Sequence, residues 1–223
     1  MSKTGHNDEE FEQTLDPILQ RVVSSLKGPG YLHLDQAISK DNFLELANRL
    51  GNILRREAIS LYQSQRGAHQ PRALGFHTDH CDSDLIAWQC DIPEPTGGPT
   101  LLLDAMAVFN TMDDHQKDAL TRVEMFSPDP DSYAEKKVPC LTLNGDEPRF
   151  YFTPWNLCPI HDPEVQSVWN WFIEQVETAD SFEIDLKKDE CLFINNKRFF
   201  HGRGILPNDS KRSLDRVWIS SAT

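Results

Sequence analysis

The chain has no apolar run approaching 18 residues, no CxxC pair, no run of Lys or Arg longer than two, and no internal repeat or low-complexity tract. The first absence argues against a transmembrane helix, and residues 1–13 are too polar and acidic for a secretory signal. Five cysteines (81, 90, 140, 158 and 191) cannot all pair, so reduced thiols and a cytoplasmic location are expected. Basic residues number 22 against 35 acidic ones, a net charge of −13. Nucleic-acid binders need clustered positive charge, so neither a nucleic acid nor a membrane is an expected partner. What is present suits a packed globular protein: 39% hydrophobic residues, with 5 Trp and 12 Phe in 223 positions. That length fits one domain, here expected over residues 11–223 after a disordered polar segment at 1–10.

Local patterning gives a sequence of elements. Apolar residues at 11, 15, 18, 19, 22, 23 and 26 predict a surface helix ended by Gly28-Pro29-Gly30. A short strand at 31–34 and a helix from Ser39 to Leu50, closed by Gly51, follow. Strands are predicted at 85–90, 100–103, 191–200 and 214–220, and helices at 106–120 and 163–178. Residues 63–72 read as a loop and 127–131 as the base of a lid. Residues 141–152 read as a hairpin turning at Asn144-Gly145.

Two distant fragments carry the chemistry, His77-Thr78-Asp79 and His201 within Phe199-Phe200-His201-Gly202-Arg203. Two histidines and one carboxylate are the ligand set of mononuclear non-haem Fe(II) sites that keep positions open for O₂. On an extended strand residues i and i+2 share a face, so His77 and Asp79 can bind one metal while Thr78 points away. His80 and Asp82 offer a competing set, HTDHCD being suggestive of a hydrolytic zinc site, and Cys81 could separately be read as a soft ligand. A dinuclear hydrolase would need further clustered His and Asp, which the other histidines (6, 33, 69, 115 and 161) do not form.

More motifs follow in order: Thr96-Gly97-Gly98-Pro99-Thr100 downstream of the HxD, then Arg212 eleven and Arg216 fifteen residues after His201. Together these resemble the Fe(II)/2-oxoglutarate dioxygenases of the taurine dioxygenase and clavaminate synthase superfamily, over residues 30–220. The resemblance implies a mainly β fold with flanking helices around a double-stranded β-helix (jelly-roll) core. It implies Fe(II), 2-oxoglutarate and O₂ as cofactors, with His77, Asp79 and His201 holding the metal. Relatives that halogenate carry Gly or Ala in place of Asp79, so hydroxylation is the expected outcome here.

On the same resemblance Arg212 would bind the distal carboxylate of 2-oxoglutarate, with Thr100 donating its hydroxyl to it. Arg216 would take the acidic group of a small substrate, with Phe152 and Trp155 shaping its pocket. Asp104, with Asp82 and Asp84, could receive an amine, which makes a free amino acid or close derivative the expected substrate. Asn196 and Arg203 would support the distal histidine, while Phe76 and Trp218 read as core. The short segment between Thr100 and His201 implies a reduced lid, and with it a small substrate or closure by a partner subunit. Homo-oligomerisation, desaturation or cyclisation with the same cofactors, a non-catalytic jelly-roll binding protein and a cupin-type enzyme stay open at this stage.

Overall fold

The computed structural model describes residues 6–61, 67–128, 135–144 and 147–221. In chain order the elements are α1 (His6–Lys27), β1 (Tyr31–Leu34), α2 (Lys40–Leu50), β2 (Gly51–Ser60), β3 (Leu74–His77), β4 (Leu85–Ile92), β5 (Thr100–Asp104), α3 (Ala105–Phe109) and α4 (Asp114–Thr121). Then come β6 (Glu124–Pro128), β7 (Glu135–Pro139), β8 (Leu141–Asn144), β9 (Glu147–Phe150), α5 (Pro163–Thr178), β10 (Phe182–Ile184), β11 (Cys191–Asn195), β12 (Phe199–Arg203) and β13 (Ser213–Ser221).

Two antiparallel sheets face each other. One runs β1, β11, β4, β13, β2 and the other β10, β5, β12, β3. Sequence-distant strands are neighbours in both, as the expected jelly roll requires. The period of two assigns each strand's faces. Ile86, Trp88, Leu192, Ile194 and Leu214 of the first sheet pack with Leu102, Ile184 and Phe199 of the second. The alternate residues Ala87, Phe193, Val217 and Ile219 turn outward under α1 and α2. Behind the second sheet, Leu103 and Phe200 pack on α3, α4 and α5, with Trp169 and Phe172 of α5 fully covered.

Helix boundaries follow their caps. Ser39 accepts from Asn42 N at the start of α2, and Asp162 accepts from Glu164 N ahead of Pro163 in α5. α1 starts at His6, inside the stretch expected to be disordered; residues 1–5 lie outside the described residues. The single helix expected at 106–120 is two, because Asp113 and Gln116 form a reciprocal capping box that starts α4 afresh. The strand expected at 191–200 is interrupted at 196–198 by a turn in which Arg198 N donates to Asn195 O. The β8–β9 hairpin closes at Asn144↔Glu147, and its turn residues 145–146 lie outside the described residues. So do residues 63–66 of the expected loop and 129–131 of the expected lid base. All five cysteines are free. Among the described residues no helix is long and apolar enough to cross a membrane.

Candidate metal centre and adjoining cavities

Strand pairing brings the distant histidines together. β3 and β12 are antiparallel neighbours with His77 directly opposite His201, and their ring centroids lie 4.2 Å apart. Gly202 permits this approach, since a Cβ there would fall 2.7 Å from the Leu74 carbonyl oxygen. Asp79 lies beyond the end of β3, in a loop without a ladder of its own. Three contacts hold that loop. Thr78 N donates to Phe152 O (2.7 Å), Phe152 N donates to Thr78 Oγ1 (2.8 Å), and Asp79 N donates to Asn196 Oδ1 (2.9 Å). Asn196 in turn donates to Ser83 O (2.8 Å), so it supports the loop that carries Asp79 rather than the distal histidine.

The three donors form one buried cluster, with ligand atoms within 4.8 Å of one another. His77 Nε2 is 3.9 Å and His201 Nε2 3.8 Å from the Asp79 carboxylate. His77 Nδ1 lies 2.9 Å from the Gly75 carbonyl, which can only accept, so Nε2 keeps its lone pair for a metal. Burial pushes both imidazoles below their usual range, which keeps them neutral, as ligation requires. Burial alone would raise the Asp79 carboxyl, but Arg216, the two histidines and Trp218 outweigh it and hold it ionised. Two neutral imidazoles and a carboxylate fit iron(II). The alternative set His80, Cys81 and Asp82 also clusters, but it is only partly buried. There Asp82 is paired with Lys136 at 2.7 Å and His80 stacks on Trp218.

Two cavities meet at the cluster, sharing His77 and Arg216 among their walls. The inner one is narrow, about 50 Å³, and lies between the sheets against Trp88, Thr100, His201, Arg203, Arg212 and Leu214. Arg212 Nη2 donates to Thr100 Oγ1 (3.0 Å), and among the described residues Arg212 makes no ion pair. Burial and the neighbouring Arg203 push its guanidinium down to about 10. Such an uncompensated buried cation fits a carboxylate from outside. Gly98 delivers Thr100 to this place. Its φ is +65°, and a Cβ there would lie 2.2 Å from Leu206. Arg203 has a different task from Arg212: it donates to the carbonyls of Ala68, Gln70 and Arg72 and so fixes the segment before β3.

The outer cleft holds about 490 Å³ and is lined by Arg72, Tyr151, Thr153, Trp155, Arg216 and Trp218 around the cluster. That is the size range of drug-sized ligand pockets, so the reduced middle segment does not leave a cramped site. Trp155 stands at its mouth, 59% exposed, its ring 5.0 Å from that of His77.

Four expectations need correction. Phe152 does not line the cleft; its ring is buried among Trp169, Phe172 and Phe200, and only its backbone serves the site. Asp104 is engaged elsewhere, accepting from Met106 N as the cap of α3 and from Arg198 Nη2 (2.6 Å). Arg216 does reach the cluster, but it is already met by Asp79 (2.9 Å) and Glu57 (3.0 Å); its Nε is buried without a partner. Trp218 is not core: its Nε1 donates to Asp79 Oδ2 at 2.8 Å. Asp82 and Asp84 are likewise spoken for, Asp84 by Arg149 and Ser221 N. Sequence reasoning also missed Glu57 and Arg72. The register Arg216↔Glu57 would have exposed the first, and nothing in the sequence marks the second.

A jelly roll with a buried set of two histidines and one carboxylate between its sheets has the architecture of a non-haem oxygenase. The family model described as "Taurine catabolism dioxygenase TauD, TfdA family" matches residues 5–218, and the chain belongs to that family. Solved structures agree in fold. An asparagine oxygenase in complex with Fe(II), 2S,3S-3-hydroxyasparagine and succinate is 14% identical, with a TM-score of 0.74 over 92% of this chain and 79% of that one. The non-heme iron oxygenase OrfP in complex with Fe, succinate and (3S)-hydroxy-L-Arg is 15% identical, with a TM-score of 0.74 over 95% and 82%. OrfP with Fe and alpha-ketoglutaric acid gives 18% identity and a TM-score of 0.72 over 95% and 81%. No curated protein matches the sequence.

Proposed function

We propose that this dioxygenase hydroxylates an unactivated C–H of a small acid, an amino acid or close derivative, with iron(II) held by His77, Asp79 and His201. The observation that carries the reading is the meeting of that cluster with a cavity ended by an unpaired buried arginine. When bound, iron(II) would bring O₂, the oxidant, to the substrate, with 2-oxoglutarate supplying two electrons and taking up one oxygen atom as it becomes succinate and CO₂. The rest is the work of the chain. Arg212 and Thr100 fix the far carboxylate of 2-oxoglutarate, as a guanidinium fork and a hydroxyl are suited to do. Trp88 and Leu214 exclude water along its length, while Tyr151, Thr153 and Trp155 orient the substrate in the outer cleft.

Two cationic side chains face the substrate. Arg216 has two carboxylates on it and only its Nε without a partner, whereas Arg72 lines the cleft with no side-chain partner among the described residues. Arg72 is therefore the better anchor for an anionic end. Among the described residues lining the cleft, Asp79 is the only acidic one, and it is committed. An amine would have to be met by Thr153, Asn156 or backbone carbonyls, so acids with a masked amine fit as well as free amino acids. Solved structures of this fold hold 2S,3S-3-hydroxyasparagine and (3S)-hydroxy-L-Arg, which supports an amino-acid skeleton.

The test is succinate release with the twenty amino acids, their N-acetyl forms and their carboxamides. The reading expects at least one acid to stimulate release and its carboxamide to fail. Equal stimulation by carboxamides would remove the anionic requirement, and no stimulation by any acid would sink the substrate class.

A further inference from the structure

We propose that Glu57, acting through Arg216, is a positioning residue for Asp79, and that Trp218 completes the clamp. The inference rests on the reading that His77, Asp79 and His201 hold iron(II). Asp79 needs such help, because it sits in a loop past the end of β3 and no strand pairing orients its side chain. The help comes from two strands whose order is fixed by the sheet. β13 turns Arg216 and Trp218 to the same inward face, and its register with β2 sets Arg216 opposite Glu57 and Trp218 opposite Arg55.

The bonds run in a chain. Glu57 Oε2 accepts from Arg216 Nη2 (3.0 Å), and Arg216 Nη1 donates to both Asp79 oxygens (3.0 and 2.9 Å). Trp218 Nε1 donates to Oδ2 (2.8 Å) from a second direction, so the carboxylate plane is fixed rather than merely tethered. The guanidinium groups of Arg216 and Arg55 lie 5.1 and 5.3 Å from the indole centroid. Arg55 also holds the other oxygen of Glu57 (3.2 Å). All this happens out of water: the side chains of Arg216, Asp79 and Glu57 are 12%, 7% and 16% exposed. In such surroundings a charge-assisted bond is strong, and a lost anchor is not replaced by solvent. Partners one step out from a metal ligand orient it, and their removal lowers metal affinity by about 10- to 100-fold.

The rival reading makes Arg216 the substrate anchor and Glu57 a bystander that balances its charge. The two part in one experiment: anaerobic Fe(II) titration of the wild type, Glu57→Gln, Glu57→Asp and Trp218→Phe against a chromophoric chelator, with thermal melts of the metal-free proteins alongside. The clamp predicts Fe(II) affinity about 10- to 100-fold weaker in Glu57→Gln and Trp218→Phe, and partial rescue by Glu57→Asp. Wild-type Fe(II) affinity in both folded variants overturns it. Trp218→Phe keeps an aromatic side chain without the indole N–H, and read with its melt it decides the matter alone should Glu57→Gln fail to melt cooperatively. A wild type that binds no Fe(II) is a different failure, that of the metal assignment, and it takes the clamp down with it.

Discussion

Arg212 and Arg216 lie four residues apart, at and within the last strand, and both line the inner cavity beside His77. Their surroundings are opposite. Arg216 is bracketed by Asp79 and Glu57, with both terminal nitrogens engaged. Arg212 is buried deeper, touches Thr100 through a neutral hydroxyl, and has burial and Arg203 working against its charge. A protein gains nothing in stability from a buried cation without a counter-ion. The difference teaches that the two arginines belong to different parts of the design, one completed by the fold and one completed by a ligand.

The largest effect that can break this comparison is on stability. Arg216→Ala leaves the buried Asp79 carboxylate without its cation and takes one of two cations from Glu57, and it is expected to cost about 3 kcal/mol or more in urea unfolding of the metal-free protein. Arg212→Ala strands no acid and should leave that stability unchanged or raised. Equal losses in the two variants would erase the distinction. Next comes 2-oxoglutarate. Arg212→Ala should weaken its binding by about 1.5–3 kcal/mol, roughly 10- to 100-fold in the dissociation constant, and Thr100→Val by about 1 kcal/mol. Isothermal titration of the Fe(II)-loaded protein checks both, and a Thr100 variant worse than the Arg212 variant would invert the assignment.

Smaller still is the outer cleft. Arg72→Gln should raise KM for an acidic substrate about 10-fold with kcat nearly kept, and Arg72→Lys should recover part of it. An unchanged KM would return the anionic end to Arg216. The smallest effect concerns a third buried cation, Lys197, whose ammonium donates to the Cys81 carbonyl behind the metal loop. Burial pushes it down to about 8. Because the folded value is below the unfolded one, the protonated form is penalised in the fold at and below pH 8. Stability should therefore rise as pH climbs from about 8 toward 10.5, and Lys197→Met should flatten that rise in melts taken across the window.

Much of the inner region was legible because its residues are marked by kind as well as by place. His77, Asp79 and His201 are scarce ligand types in order, and a glycine pair before Thr100 announces a turn. The amphipathic run of α5 is also plain, since it depends on near neighbours. What was not legible depends on partners far along the chain. Asp104 looked free until Arg198 was found beside it, 94 positions away. Phe152 sits in a stretch that does shape the site, but through its peptide groups, while its ring follows the packing of α5. Trp218 reads as a core aromatic and Glu57 lies in a stretch with no expected strand; only the β2–β13 register links them to Asp79. The split between α3 and α4 lay in a reciprocal cap that the apolar pattern passes over.

The most direct measurement is anaerobic titration of the metal-free protein with Fe(II) and 2-oxoglutarate, following the weak visible charge-transfer band of the chelate. The account predicts a band in the wild type, none in His77→Ala, and in Arg212→Ala a band that needs roughly 10- to 100-fold more 2-oxoglutarate. A folded, metal-loaded wild type that gives no band would contradict it, and so would an Arg212 variant that titrates like the wild type.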